Sequence, residues 1–126
     1  SVCQHIVTLS RGAARGACTS LAGEASLADA MALIACARAL VSNDSGLMHI
    51  AAALRTPQVA VFGSSSPLHT PPLSDAARVV WLKQEPHYRP ALDCAPCFAR
   101  RCPLGHTRCL QDLGPERVAQ ALAQVV

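Results

Sequence analysis

The stretch best equipped for chemistry is Asn43-Asp44-Ser45-Gly46, with His49 just beyond it. An apolar run leads into it, and helically spaced apolar residues resume at Leu47. Such a turn puts an acid, a hydroxyl and a glycine at a helix start. Backbone N–H groups there lack intrahelical acceptors, and the helix dipole favours anions. His49 lies four residues beyond Ser45 and shares its face. With no side chain, Gly46 lets a ligand phosphate approach the backbone closely. This is the chemistry of binding a phosphorylated ligand. An ordinary N-cap on a tight turn uses the same residue types, and spacing alone leaves both readings open.

Seven cysteines supply a second set of reactive groups. Cys3, Cys18 and Cys36 are scattered; Cys94, Cys97, Cys102 and Cys109 cluster in a cysteine-rich loop at 93–109. An odd count, unevenly spread, is unlike a secreted disulfide framework and reads as a reducing compartment. The clustered four have the ligand count of a structural zinc site, with His106 to spare. The first pair, separated by Ala95 and Pro96, is a good half-site, whereas the second pair has irregular spacing. Free thiols and adventitious disulfides are the plain alternatives. Four protein thiolates leave a metal no open position, which excludes a catalytic ion. Arg100 and Arg101 form either a solvated charge pair or a surface for an anionic acceptor.

Positioning these groups requires alternating strands and helices. Val2–Arg15 is weakly helical, with Val2, Ile6 and Leu9 near one face and Gly12 and Gly16 at its end. Thr19–Gly23 reads as a strand end or loop. Ser26-Leu27-Ala28-Asp29 has the form of a capping box and opens a helix to about Ala37, with Leu27, Met31, Leu33 and Ile34 as its buried stripe. Met31 reads as core and Cys36 as a small buried hydrophobe. Ala39–Ser42 is a strand. The helix Ser45–Leu54 presents Leu47, Ile50, Ala51 and Leu54 to the core and stops before Pro57. Gln58–Gly63 is a second strand, which makes a parallel βαβ unit. Ser64, Ser65 and Ser66 follow at the strand's carboxyl end, where open α/β sheets bind ligands. His69–Ser74 is irregular because of its prolines. Arg78–Leu82 is a third strand, Lys83–Pro90 a loop, and Pro115 starts a last helix with Val118, Leu122 and Val125 on one face.

The chain has 126 residues, 51% of them hydrophobic but only 3% aromatic, which suits one domain with close helix–sheet packing and excludes disorder. The net charge of +3 is mild, and no stacking aromatics interleave with the basic residues, so nucleic acid is not an expected partner. No apolar run is long enough to span a membrane, and no signal peptide is visible. A first residue of Ser inside a helix-like segment reads as a truncated start.

Several separated motifs, in order, resemble the lipopolysaccharide heptosyltransferases of glycosyltransferase family 9. They are Leu21-Ala22-Gly23 with Ser26-Leu27, Val41-Ser42-Asn43-Asp44-Ser45-Gly46-Leu47-Met48-His49, Gln58-Val59-Ala60-Val61-Phe62-Gly63, Ser65-Ser66-Pro67 and Thr70-Pro71-Pro72-Leu73-Ser74. The likeness runs from about Thr19 to the C-terminus and is strongest to members that add the second heptose. It implies an α/β fold, a Rossmann-like parallel sheet with flanking helices. Residues 1–126 would be a single truncated nucleotide-sugar donor-binding domain, part of the C-terminal domain of a GT-B glycosyltransferase. By the resemblance, Asp44, Ser45, Gly46 and His49 hold the donor diphosphate and heptose, and the backbone near Ala25 approaches the adenine. The catalytic base, an Asp of the N-terminal domain, is absent from this chain, so the fragment alone is expected to be inactive. No metal is required for transfer. The implied partners are an ADP-heptose donor and an inner-core lipopolysaccharide acceptor, met in the cytoplasm at the inner membrane face. A sheet cut at one edge also predicts self-association. Some family members lack the clustered cysteines, which argues against a catalytic role for them. His5, His69, His87 and His106 match no family role, although His69 stands in a loop on the ligand edge. Two further readings stay open: a zinc-stapled interaction module without catalysis, and a nucleotide-sugar epimerase of the same architecture.

Overall fold

In the computed structural model, residues 1–12 and 18–126 are described. The chain divides into two compact units, Ser1–Ala30 and Met31–Val126.

The first unit holds α1 (Val2–Ser10), capped by the Ser1 hydroxyl, which accepts the Gln4 N–H at 3.2 Å. The expected helix is shorter than its sequence pattern, and positions 13–15 and Gly16 lie outside the described residues. None of its residues is buried, so Val2, Ile6 and Leu9 form a face without a core beneath it. Leu21–Glu24 is a turn, closed by the Glu24 N–H to the Leu21 carbonyl at 3.0 Å, with Gly23 at φ +77°. The capping box forms reciprocally. The Ser26 N–H donates to Asp29 Oδ2 at 3.0 Å, and the Asp29 N–H donates to Ser26 Oγ at 3.1 Å. This pair starts α2 (Leu27–Cys36), within which the two units meet in sequence. Of the expected stripe only Ile34 is buried; Leu27, Met31 and Leu33 are exposed, as is Cys36. The helix is apolar on nearly every side, so composition could not say which side packs.

The second unit is built on a parallel sheet of order β1-β2-β3. Its strands are β1 (Leu40–Asn43), β2 (Gln58–Phe62) and β3 (Ala77–Trp81). In register, Asn43 pairs with Val61 and Val61 with Val80. Alternate residues of β2 feed two cores, as the strand period of two requires. Ala60 and Phe62 join Met48, Trp81, Leu82 and Leu92 on one side, and Val59 joins Val80 and Ala121 on the other. Helix α3 (Gly46–Ala53) contributes Met48 to the first core. Helix α5 (Pro115–Ala123) contributes Ala121 to the second, with Val118, Leu122 and Val125 packed against it.

The buried face of α3 differs from the expected one. Met48, Ala51 and Ala52 are buried, while Leu47 and Leu54 are 39% and 41% exposed. Two alanines let the helix lie close to the sheet, and the flexible Met48 fills what remains. Gln58, fully buried, fastens the arrangement by donating from Nε2 to the Met48 carbonyl at 3.1 Å. Thr56 ties α2 to the β2 approach through Oγ1 to the Ile34 carbonyl at 2.9 Å. Beyond β3, a short 3₁₀ turn (Leu82–Gln84) leads to residues 85–107, which hold no helix or strand, and then to α4 (Arg108–Gln111).

Candidate functional site

The β1 and β2 strands end side by side. The Asp44 N–H donates to the Val61 carbonyl at 3.1 Å and extends the ladder one step past β1. The chain then turns at Ser45, whose backbone is extended (φ −160°, ψ 169°), and α3 begins at Gly46. Ser45 occupies the N-cap position but makes no side-chain capping bond. The sequence left a cap and an anion site as rival readings, and the structure leaves this hydroxyl uncommitted. The first N–H groups of α3 have no intrahelical acceptor. An added Cβ at Gly46 would meet nothing within 4 Å, so the approach to that backbone is open. Asp44 is half-buried, and Ser45, Gly46 and His49 are exposed. Asp44, Ser45, Gly46 and His49 therefore share one helix entrance in the second unit. Ala25 is exposed in the first unit, just before the capping box.

The loop after β2 lies at the same strand edge. Gly63, Ser66 and Pro67 are buried, and Ser64 and Ser65 are half-buried. A Cβ on Gly63 would stand 2.8 Å from the Leu110 side chain, so this glycine permits α4 to close over the end of β2. The Gly63 carbonyl accepts the buried Trp81 indole N–H at 3.1 Å. Ser66 Oγ is spent inside the loop, accepting the Leu68 N–H at 3.1 Å. Exposed His69 packs against Phe98 with ring centroids 5.5 Å apart. The loop is thus polar but largely occupied by its own structure. A cavity of about 640 Å³, lined by Arg55, Pro72 and Ser74–Ala76, opens at the opposite end of the strands. It shares no residue with the predicted site.

The clustered cysteines converge. Cys94, Cys97, Cys102, Cys109 and His106 line one largely apolar cavity of about 100 Å³, together with Ser64 and Arg100. All four are free thiols. The Thr107 N–H donates to Cys102 Sγ at 3.4 Å and, with neighbouring backbone N–H groups, holds that thiol below its ordinary pKa. Burial raises the Cys109 thiol, and the nearby Cys97 and Cys102 add to the effect. Among the described residues no three His, Cys, Asp or Glu side chains are drawn together around a point as metal ligands. Residues that sequence patterns did not single out fix the surrounding loop. Lys83 Nζ donates to the Leu92 carbonyl at 2.9 Å, Tyr88 hydroxyl to Asp112 at 2.6 Å, and Arg117 pairs with Glu85 at 2.8 Å. Their partners lie far off in sequence, so no local signal announces them.

Residues 3–107 match the profile of glycosyltransferase family 9 (heptosyltransferase). The chain belongs to glycosyltransferase family 9. Its family 9 relatives include the lipopolysaccharide heptosyltransferase 2 of Escherichia coli K12, 47% identical over 105 residues, which are 83% of this chain and 28% of that protein. The lipooligosaccharide heptosyltransferase 2 of Haemophilus ducreyi is 43% identical over 113 residues, covering 86% of this chain and 30% of the relative. A solved structure of the Escherichia coli ADP-heptose LPS heptosyltransferase II superposes with a TM-score of 0.51 at 42% identity, over 82% of this chain and 27% of that one. This family 9 chain thus spans under a third of the curated relatives it matches. The α/β fold with a parallel sheet agrees with the expectation drawn from the motifs.

Proposed function

We propose that this chain supplies the donor-binding part of an ADP-heptose:lipopolysaccharide heptosyltransferase. In this reading it belongs to the C-terminal domain of a GT-B enzyme that transfers L-glycero-D-manno-heptose to the inner core. The observation that carries the reading is the entrance to α3, with an uncommitted Ser45 hydroxyl, an unobstructed Gly46 backbone and an exposed His49 one turn along the helix. Membership of family 9 supports it.

The α3 N-terminus offers N–H donors to the diphosphate of the donor. Charge grows on that diphosphate as the sugar leaves, and fixed donors aimed at growing charge lower the barrier. His49 adds a hydrogen bond or positive charge one turn along the same face. Asp44 orients the sugar or His49. The base that activates the acceptor hydroxyl belongs to a domain outside this chain, so the chain alone transfers no heptose. The acceptor is lipid-linked, and the work is done at the cytoplasmic face of the inner membrane without a catalytic metal. Among the described residues no helix is long and apolar enough to cross a membrane.

Calorimetric titration with ADP tests the reading. ADP binding that weakens about ten-fold, equivalent to 1.4 kcal/mol, in both Asp44→Ala and His49→Ala upholds it. Unchanged affinity in both variants removes the site assignment.

A further inference from the structure

We propose that Cys94, Cys97, Cys102 and Cys109 form a closed thiolate site for one zinc ion, which pins the irregular segment 85–107 onto the carboxyl edge of the sheet. The proposal does not depend on the donor reading.

The first support is convergence. Two cysteine pairs separated in sequence line a single cavity of about 100 Å³. That is room enough for one ion, since a water needs only about 10–15 Å³. Cys94 and Cys109 are packed against the core that contains Phe62 and Trp81, so the backbone that carries them is anchored. In the thiol form the sulfurs are not gathered on a point. Binding would therefore be a rotation of side chains on a preset wall, with loss of the thiol protons to solvent.

The second support is the segment itself. Residues 85–107 hold no helix or strand, and unstructured connections beyond roughly 12–15 residues are uncommon unless functional or disordered. Much of this one is exposed, yet it is anchored to the body of the unit. Leu92 and Ala95 are core residues, and the Phe98 N–H donates to the Ser64 carbonyl at 2.8 Å. It also carries left-handed backbone at Phe98 (φ +55°) and Thr107 (φ +49°), which costs energy that other interactions must recover. A structural metal supplies folding energy outright to such a segment.

The third support is donor choice and charge. His106 Nδ1 accepts the Arg108 N–H at 3.1 Å, which occupies that lone pair and favours the four thiols as ligands. Four thiolates on a divalent ion leave a net negative charge. Arg100 lines the cavity, and it takes part in neither of the ion pairs found among the described residues. The Thr107 N–H directed at Cys102 Sγ is the kind of supporting donor that ligating sulfurs use.

The test is zinc analysis of the purified protein, joined to a Co²⁺ titration of the chelator-stripped protein. About one ion per chain and a tetrahedral cobalt–thiolate spectrum are expected. Cys94→Ser and Cys102→Ser should weaken zinc binding by more than the roughly 10–100-fold that loss of a supporting partner costs. Cys36→Ser, outside the cavity, should leave it unchanged. Cys102→His keeps a donor at that position and should retain the metal, which separates ligand loss from misfolding. A flat Co²⁺ titration of folded protein, full affinity in Cys94→Ser, or a disulfide among the four in protein kept reduced would overturn the proposal. A chain that takes zinc but no ADP would uphold this site and refute the donor reading.

Discussion

The entrance to α3 and the cysteine cavity lie at the same edge of one sheet, yet they are positioned by different means. The first is set by backbone. A parallel ladder that runs to Asp44, a turn and a helix start fix Ser45 and Gly46 whatever their side chains do. The second is set by side chains. Its walls come from a segment without regular structure, tied down by Leu92, Ala95, Lys83 and the Phe98–Ser64 bond. A site of the first kind exists as soon as the strands pair. A site of the second kind awaits whatever holds the segment together.

The largest expected effect falls on the shared foundation. Phe62 is fully buried in the core beneath both regions, so Phe62→Ala should cost about 3–5 kcal/mol and disturb both sites in a denaturant unfolding curve. A loss under 1 kcal/mol would mean that the sheet does not support them jointly. Chelation should separate them. In hydrogen exchange, removal of metal should loosen 93–109 while the β2 amides keep their protection. Equal loosening of both would abolish the distinction. Thr56→Val removes the buried bond to the Ile34 carbonyl, which keeps the Ala37 N–H at 3.2 Å as a donor, so the cost is about 0.5–1.5 kcal/mol. It should act on the α2 junction alone and leave cobalt binding unchanged.

The smallest effect lies in the first unit. The Ser26 N–H, and then its hydroxyl, hold the Asp29 carboxyl below its ordinary value. A carboxyl whose folded pKa is depressed stabilises fully above its unfolded pKa of about 3.9, and that contribution disappears as pH falls through the folded value. Asp29→Asn should therefore remove a small acid-side step in helicity below about pH 4 and change little at neutral pH. An unaltered acid profile would mean the capping box contributes nothing.

The same contrast explains what could be read in advance. Strand, turn and helix at 39–63 were legible because Pro57, the glycines and the apolar periods act locally. Which face of α3 packs was not. Leu47 and Leu54 are the larger hydrophobes, but only the Ala51–Ala52 side allows the close approach that Gln58 then fastens. The stripe of α2 failed for a related reason: nearly uniform apolar composition carries no direction. In the cysteine segment the spacing suggested a common site, and the four cysteines line one cavity without their side chains gathering as metal ligands. The Tyr88–Asp112 and Arg117–Glu85 contacts that shape the segment depend on tertiary placement and leave no local trace.

The central claim is that the α3 entrance holds the diphosphate of the donor. The most direct measurement is ADP affinity of the protein against Asp44→Ala and His49→Ala, with Cys36→Ser as an unrelated exposed control. The account predicts a loss of about ten-fold in each of the first two, with unfolding midpoints unchanged and the control at full affinity. ADP bound equally well by all four proteins would contradict it.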